Sequence, residues 1–257
     1  MLPPPSTTRP LLVEAPTLYR SGLDLAKVSR HRRVVSVGLR GHFLQSEYHW
    51  RSLEAQLATI VNIPTNQDPI TTVRHWLDAA GDSEAFNPTA TALATISAAG
   101  APSIRMVLLK DIDPAGFTFY TNLDSRKARE LDGDARAALC LYWKSLRRQV
   151  RIEGTTERVT AEEADTYFAT RERGSQIGAW ASCQSATLDD RASLEAAVVE
   201  IEQRFAEKEV PRPEFWSGYR LVPSMIELWW ELPSRLHERV EFARQPGGDW
   251  AHQSLYP

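Results

Sequence analysis

Eight short β-rich runs, separated by turn signals and a few helix-like stretches, constrain this chain more than any other feature. They are Thr89–Ile96, Ser103–Asp111, Gly116–Asn122, Ala137–Trp143, Gln149–Arg158, Gly218–Val222, Met225–Trp230 and Val240–Ala243. The turn sequence Ala98-Ala-Gly-Ala-Pro102 joins the first two into a hairpin. In the third, Phe117, Phe119 and Thr121 alternate with Thr118 and Tyr120, the period of a strand with two different faces. Short strands joined by hairpins, with helices between them, predict a mainly β (α+β) fold. The expected architecture is a closed, antiparallel, Greek-key-like barrel with flanking helices.

The helices announce themselves by their caps. Asp68-Pro69 suits a helix start, and Ile70, Val73, Trp76 and Leu77 then share one face. Ser125–Leu131 reads as a short helix. Thr160 and Glu163 form a capping box that opens Ala161–Thr170, and Leu188–Lys208 is a longer helix. Residues 1–65 read as an irregular N-terminal arm. Pro3, Pro4 and Pro5 disfavour regular structure, and only Gln45–Ile63 shows a weak helical pattern. The folded domain is predicted over 66–257.

Charge and motif content exclude several functions. The net charge of the 257 residues is -3, with +4 in residues 1–60 and -7 in the remainder, the opposite of a nucleic-acid binder's basic excess. Cys140 and Cys183 are too few for a disulfide framework or a metal site, and the six histidines lack ligand spacing. The nucleophile-elbow and dinucleotide-binding glycine motifs are missing. No apolar run approaches the roughly 20 residues that span a bilayer, so no membrane association and a cytoplasmic location are expected. The Arg-rich start admits an organelle transit peptide, although Glu14 and Asp24 spoil that pattern.

Four constellations point to anion chemistry. Arg105-Met106-Val107-Leu108-Leu109-Lys110 is an apolar strand with a cation at each end, and five residues of separation puts those cations on opposite faces. In Tyr120-Thr121-Asn122-Leu123-Asp124-Ser125-Arg126-Lys127 a strand delivers two cations to a helix N-terminus, where free N–H groups and the helix dipole attract phosphate. Tyr167, Arg171 and Ser175 follow at four-residue spacing on a helix running into a loop, and all three can donate to phosphate. Finally, Arg235, His237 and Arg239 would share one face of a strand just beyond Trp229. Three such side chains repel one another unless an anion lies between them. Each segment alone also fits an ordinary core strand or solvated surface.

Together they resemble the pyridoxine/pyridoxamine 5'-phosphate oxidase family. The matching stretches are RMVLLK (105–110), FYTNLDSRKARE (119–130), RRQVRIEG (147–154), YFATRERGSQIGAW (167–180), QS (184–185), VPRPEFWSGYRL (210–221) and RLHER (235–239). The resemblance implies an FMN-binding split β-barrel that works as a homodimer, with FMN at the subunit interface. It implies flavin contacts from Arg105, Met106, Val107, Leu108, Leu109, Lys110, Tyr120, Thr121, Arg126, Lys127, Gln149, Gln184, Ser185, Trp229 and Arg239. It assigns the substrate phosphate to Lys110, Tyr167, Arg171 and Ser175, and places Arg235 and His237 over the pyridine ring as the catalytic pair. The implied reaction moves a hydride from the substrate's C4' to the flavin. Pyridoxamine or pyridoxine 5'-phosphate becomes pyridoxal 5'-phosphate, and dioxygen is reduced to hydrogen peroxide.

The chain departs from the family pattern at several points. Glu172 replaces a usual Pro, Ser217-Gly218 replaces a Gly pair, Trp230-Glu-Leu-Pro233 replaces a polar turn, and Ser254-Leu-Tyr-Pro257 replaces Arg-Leu-Ala-Pro. The arm should supply an Arg and a Tyr that close over the substrate; Arg40 with Tyr48 and Tyr19 with Arg20 are the candidates. The departures keep open an FMN oxidase of the same fold acting on another aromatic or secondary-metabolite substrate, and a non-catalytic binder of flavin or pyridoxal phosphate.

Overall fold

A computed structural model describes residues 63–257 of the chain. The weak helical pattern before Ile63, most of the arm and both lid pairs lie outside the described residues. Five α-helices are described: α1 (Pro69–Ser83), α2 (Arg126–Gly133), α3 (Ala161–Ala169), α4 (Arg173–Ala181) and α5 (Arg191–Arg204). The eight strands are β1 (Ala90–Ile96), β2 (Pro102–Asp113), β3 (Gly116–Asn122), β4 (Arg136–Trp143), β5 (Arg148–Arg158), β6 (Trp216–Trp230), β7 (Glu238–Arg244) and β8 (Trp250–Ser254).

The strands run in the order β3-β2-β1-β4-β5-β6-β7-β8, all neighbours antiparallel, and β3 also pairs with β6. That extra pairing closes the first six into a barrel. The order β3-β2-β1-β4 is a Greek key, because β4 returns beside β1 after two hairpins. Both expectations hold. The split arises on β6. One edge carries β5 along its length; the other carries β3 against Trp216–Leu221 and then β7 against Met225–Trp230. Pro223 sits at the changeover, where a missing N–H costs no ladder bond.

Local chemistry explains the elements. Asp68 Oδ1 accepts from the Ile70 and Thr71 N–H groups at 2.7 and 3.2 Å, with Pro69 at the first helical position. The Thr160–Glu163 capping box is complete in both directions. The barrel interior holds Leu93, Phe117, Phe119, Leu139, Leu141, Val150, Ile152, Leu221, Ile226 and Leu228. A second cluster of Phe168, Ile177, Phe205, Val210 and Trp216 joins the α3–α5 layer to the start of β6. The departure at Trp230 has a structural use. The Arg148 guanidinium lies between Trp76 of α1 and Trp230, 4.7 and 4.1 Å from the ring centroids, so these residues clamp α1 to the barrel.

Five expectations are corrected. Gly218–Val222 and Met225–Trp230 are one strand, β6, bent by a bulge opposite Glu153 and Gly154 rather than broken at Pro223. β3 does not alternate in burial, because α3, β6 and the barrel interior cover both its faces. β8 was not anticipated; its residues are mostly exposed and polar, so they carry no apolar period. The segment after Arg171 is not a loop but helix α4, and Ser175 sits in its first turn. Lastly, 235–239 is not a strand. Pro233–Arg235 is a turn of 3-10 helix with Ser234 and Arg235 at φ 58° and 61°, and β7 starts only at Glu238. Arg235, His237 and Arg239 therefore do not share a strand face.

A candidate flavin and phosphate site

The cavity that gathers most of the expected residues lies between the outer side of β2, the end of β3 and helices α3 and α4. It encloses about 650 Å³ and is walled by Met106, Val107, Leu108, Lys110, Tyr120, Thr121, Lys127, Tyr167, Arg171, Ser175 and Gln184 from the expected set. Asn122, Glu172, Gly178, Ala179, Ser182 and Trp216 complete the wall. Strand alternation puts Met106, Leu108 and Lys110 on the cavity side. Leu109 faces the core at 1% exposure, so only its backbone is left to meet a ligand.

Lys127 dominates one end. The turn after β3 is held by Asn122, whose side chain accepts from the Asp124 N–H and donates to the Ser182 carbonyl. Ser125 caps α2, and Lys127 follows in its first turn. Lys127 Nζ donates to Thr121 Oγ1 at 3.0 Å, Ser125 Oγ at 3.2 Å and Gln184 Oε1 at 2.8 Å. All three acceptors are neutral. Burial, aided by the Arg105 charge, pushes its pKa down to about 8. A half-buried ammonium with no carboxylate partner among the described residues, beside a helix N-terminus, is a site that an anion would stabilise.

The neighbouring arginines are already paired. Glu130, buried on the inner side of α2, accepts from Thr95 Oγ1, from Arg105 Nη2 at 2.8 Å and from Arg126 Nε at 2.8 Å. Burial raises its pKa, but these donors outweigh that and hold it at about 2. Arg105 is thereby turned toward Leu93, Thr95 and Glu130 and does not wall the cavity; Arg126 is 61% exposed at the helix start. The sequence offered one sign of this anchor, since Glu130 stands four residues after Arg126.

The other end is aromatic. Tyr120 stacks on Tyr167 at 4.1 Å and on Trp216 at 5.4 Å, with Lys110 Nζ 6.0 Å from the Tyr167 ring. Burial raises the Tyr120 pKa. The Arg171 guanidinium rests 4.8 Å from the Trp216 ring and 5.4 Å from Phe168, and its Nη1 is buried with no hydrogen-bond partner among the described residues.

The remaining expected residues lie outside this wall. Gln149, Trp229 and Arg239 form one cross-strand row over β5, β6 and β7. Arg239 Nε donates to buried Glu227 at 2.8 Å and its Nη1 to the Tyr256 carbonyl at 2.9 Å, while Arg151 holds the other Glu227 oxygen at 2.8 Å. The cationic repulsion expected around Arg239 is thus answered by a carboxylate within the protein. His237 packs on Trp229 at 4.7 Å, and its Nδ1 accepts from the Leu232 N–H at 3.2 Å. Ser185 is exposed with φ 73°.

Comparison with known proteins places the chain in a family. Residues 82–205 match the family model described as pyridoxamine 5'-phosphate oxidase, and residues 216–257 match the one described as the pyridoxine 5'-phosphate oxidase C-terminal dimerisation region. The chain is 53% identical over 190 residues to a pyridoxine/pyridoxamine 5'-phosphate oxidase of Mesorhizobium japonicum, covering 74% of this chain and 93% of that protein. It is 53% identical over 191 residues to one of Sinorhizobium fredii, with 74% and 93% covered. Among solved structures, PhzG from Burkholderia lata, in complex with tetrahydrophenazine-1-carboxylic acid, superposes with a TM-score of 0.72 at 34% identity over 77% of this chain and 98% of that one. An FMN-binding protein of Nostoc punctiforme shares the fold at TM-score 0.61 and 15% identity. With its relatives covered almost end to end at half their residues, the chain belongs to the pyridoxamine 5'-phosphate oxidase family.

Proposed function

We propose that the 66–257 domain is an FMN-dependent oxidase that converts pyridoxamine and pyridoxine 5'-phosphates to pyridoxal 5'-phosphate, with dioxygen as acceptor and hydrogen peroxide as product. One observation carries the reading: a single cavity has two cationic ends without carboxylate partners among the described residues, Lys127 at one and Arg171 with Lys110 and Ser175 at the other. Two phosphates, one on the flavin and one on the substrate, match two such ends. FMN, when bound, supplies the hydride acceptor. Lys127 and the α2 N-terminus hold its phosphate, and Lys110, Tyr167, Arg171 and Ser175 hold the substrate's.

Gln149, Trp229, Arg235, His237 and Arg239 complete the site from a second copy of the chain in this reading. Ile104, Met106 and Leu108 on β2 and Tyr142 on β4 are 71%, 62%, 40% and 53% exposed, an apolar outer face suited to burial against a partner. Ser234 and Arg235 hold left-handed backbone, strain of the kind that gathers at functional sites. Because His237 Nδ1 is an acceptor, the neutral ring carries its proton on Nε2 and presents a donor to the substrate. Arg235→Ala is expected to cut turnover about 100-fold while FMN retention changes less than about threefold, since one oriented charged contact to the reacting molecule is worth roughly that much. Equal losses would mean that Arg235 belongs to the flavin site instead.

The PhzG likeness favours a second reading, oxidation of a carboxylated polycyclic substrate. The Lys110, Tyr167, Arg171 and Ser175 cluster supports the phosphate ester instead. A peroxide and absorbance assay with both B6 phosphates decides. The purified protein should be yellow and yield pyridoxal phosphate; colourless protein that fails to take up FMN defeats both readings, and FMN binding without turnover of either ester favours the second.

A further inference from the structure

We propose that Trp216 is the positioning residue for the substrate phosphate, acting through Arg171; this rests on the function proposed above. Arg171 and the arginines on or next to the other expected site positions are held in two different ways. Arg105 and Arg126 are held by Glu130, and Arg151 and Arg239 by Glu227, all through charged hydrogen bonds. Arg171 has no carboxylate partner among the described residues. What holds it is the Trp216 face at 4.8 Å and Phe168 at 5.4 Å, and Trp216 is itself buried at 6% exposure and fixed edge-on by Phe168 at 5.0 Å. A cation held by aromatic faces keeps its hydrogen-bonding fork for a dianion, whereas one held by a carboxylate has already spent donors and charge. Arg171 also walls a second cavity that carries Glu202, Glu207 and Glu209 alongside the cations Arg173 and Lys208. Without the indole, the guanidinium has an acidic alternative on its other side. Trp216 thus sets phosphate affinity by keeping Arg171 on the substrate side.

The test compares Trp216→Leu and Trp216→Phe in the FMN-loaded protein. Trp216→Leu should raise KM for pyridoxamine 5'-phosphate about 10-fold, the range of a desolvated cation–π contact, with kcat within about threefold. The KM of unphosphorylated pyridoxamine should shift far less than that of the phosphate ester, and Trp216→Phe should restore most of the phosphate preference. Added to Arg171→Ala, Trp216→Leu should have no further effect on KM. Equal shifts for phosphorylated and unphosphorylated substrates, or additive effects with Arg171→Ala, would overturn the proposal. Inorganic phosphate binding to the FMN-loaded protein, read by calorimetry, supplies a measure independent of activity. Trp216→Leu should weaken it about 10-fold even if neither B6 phosphate proves to be the substrate. Unchanged phosphate affinity would overturn the role of Trp216, whereas lack of turnover by the parent protein would overturn only the proposed function.

Discussion

Lys127→Met is expected to weaken FMN binding by about 100-fold, because a charge-assisted contact to a phosphate contributes up to roughly 3 kcal/mol. Methionine keeps the length and apolar character of the stem, so the loss reports the charge. Arg126→Ala should cost far less, since that side chain is mostly exposed and already bound to Glu130. The pH dependence separates the two. Burial holds the Lys127 pKa at about 8 in the free protein, below the 10.5 of an ordinary lysine. A depressed lysine pKa means that the free fold disfavours the charged form. That cost is present below about pH 8 and disappears as pH rises from there toward 10.5. Phosphate binding needs the ammonium, so affinity for FMN should be level up to about pH 8 and then fall as Lys127 loses its proton. The phosphate's own second pKa lies near 6 and does not titrate in this window. Fluorescence-quenching titrations of the apoprotein from pH 7 to 9.5 would read both effects. A wild-type affinity that is flat across that range, or a Lys127→Met variant with the same slope, would show that Lys127 does not meet the phosphate.

Much of the fold was legible because its boundaries are chemical. Asp68-Pro69, Ser125 and the Thr160–Glu163 pair each cap the helix that the sequence suggests, since a cap is a local hydrogen bond and needs no tertiary information. Strand identity was legible wherever apolar residues run together, but strand continuity was not. Pro223 reads as a break, yet β6 passes through it because the partner on that edge changes there. The alternation in 235–239 misled for a related reason. Pro233 starts a tight helical turn and two left-handed residues carry the chain round, so the period of two spans a corner rather than a strand. At the site, the cations were legible and their counter-ions were not. Glu130 and Glu227 look like surface acids in the sequence. Only the fold reveals that each is buried and binds two arginines, whereas the cavity's own cations, Lys110, Lys127 and Arg171, have no acidic partner among the described residues.

Gly218→Ala tests how tightly the site is tied to barrel closure. A Cβ at this position would lie 2.8 Å from Tyr120 Cδ1 and 3.0 Å from the Phe119 carbonyl oxygen. The carbonyl belongs to the β3–β6 seam that closes the barrel, and the Tyr120 ring is held between Tyr167 and Trp216, so neither neighbour can give way cheaply. The expected cost is about 2–3 kcal/mol of stability, typical of a small residue forced into a packed site. FMN and substrate phosphate should also bind more weakly, because Tyr120 walls the cavity. Ser217→Gly at the adjoining position, where the chain departs from the family's glycine pair, should cost only about 0.5–1 kcal/mol through backbone entropy. Urea denaturation of the two variants beside the parent gives the comparison, and a parent-like midpoint for Gly218→Ala would show that the seam yields. The position of the one retained glycine then has a physical basis: Tyr120 packs against residue 218, not 217. Because that contact belongs to both the barrel seam and the cavity wall, Gly218→Ala should lower stability and binding together, whereas Lys127→Met should lower binding alone.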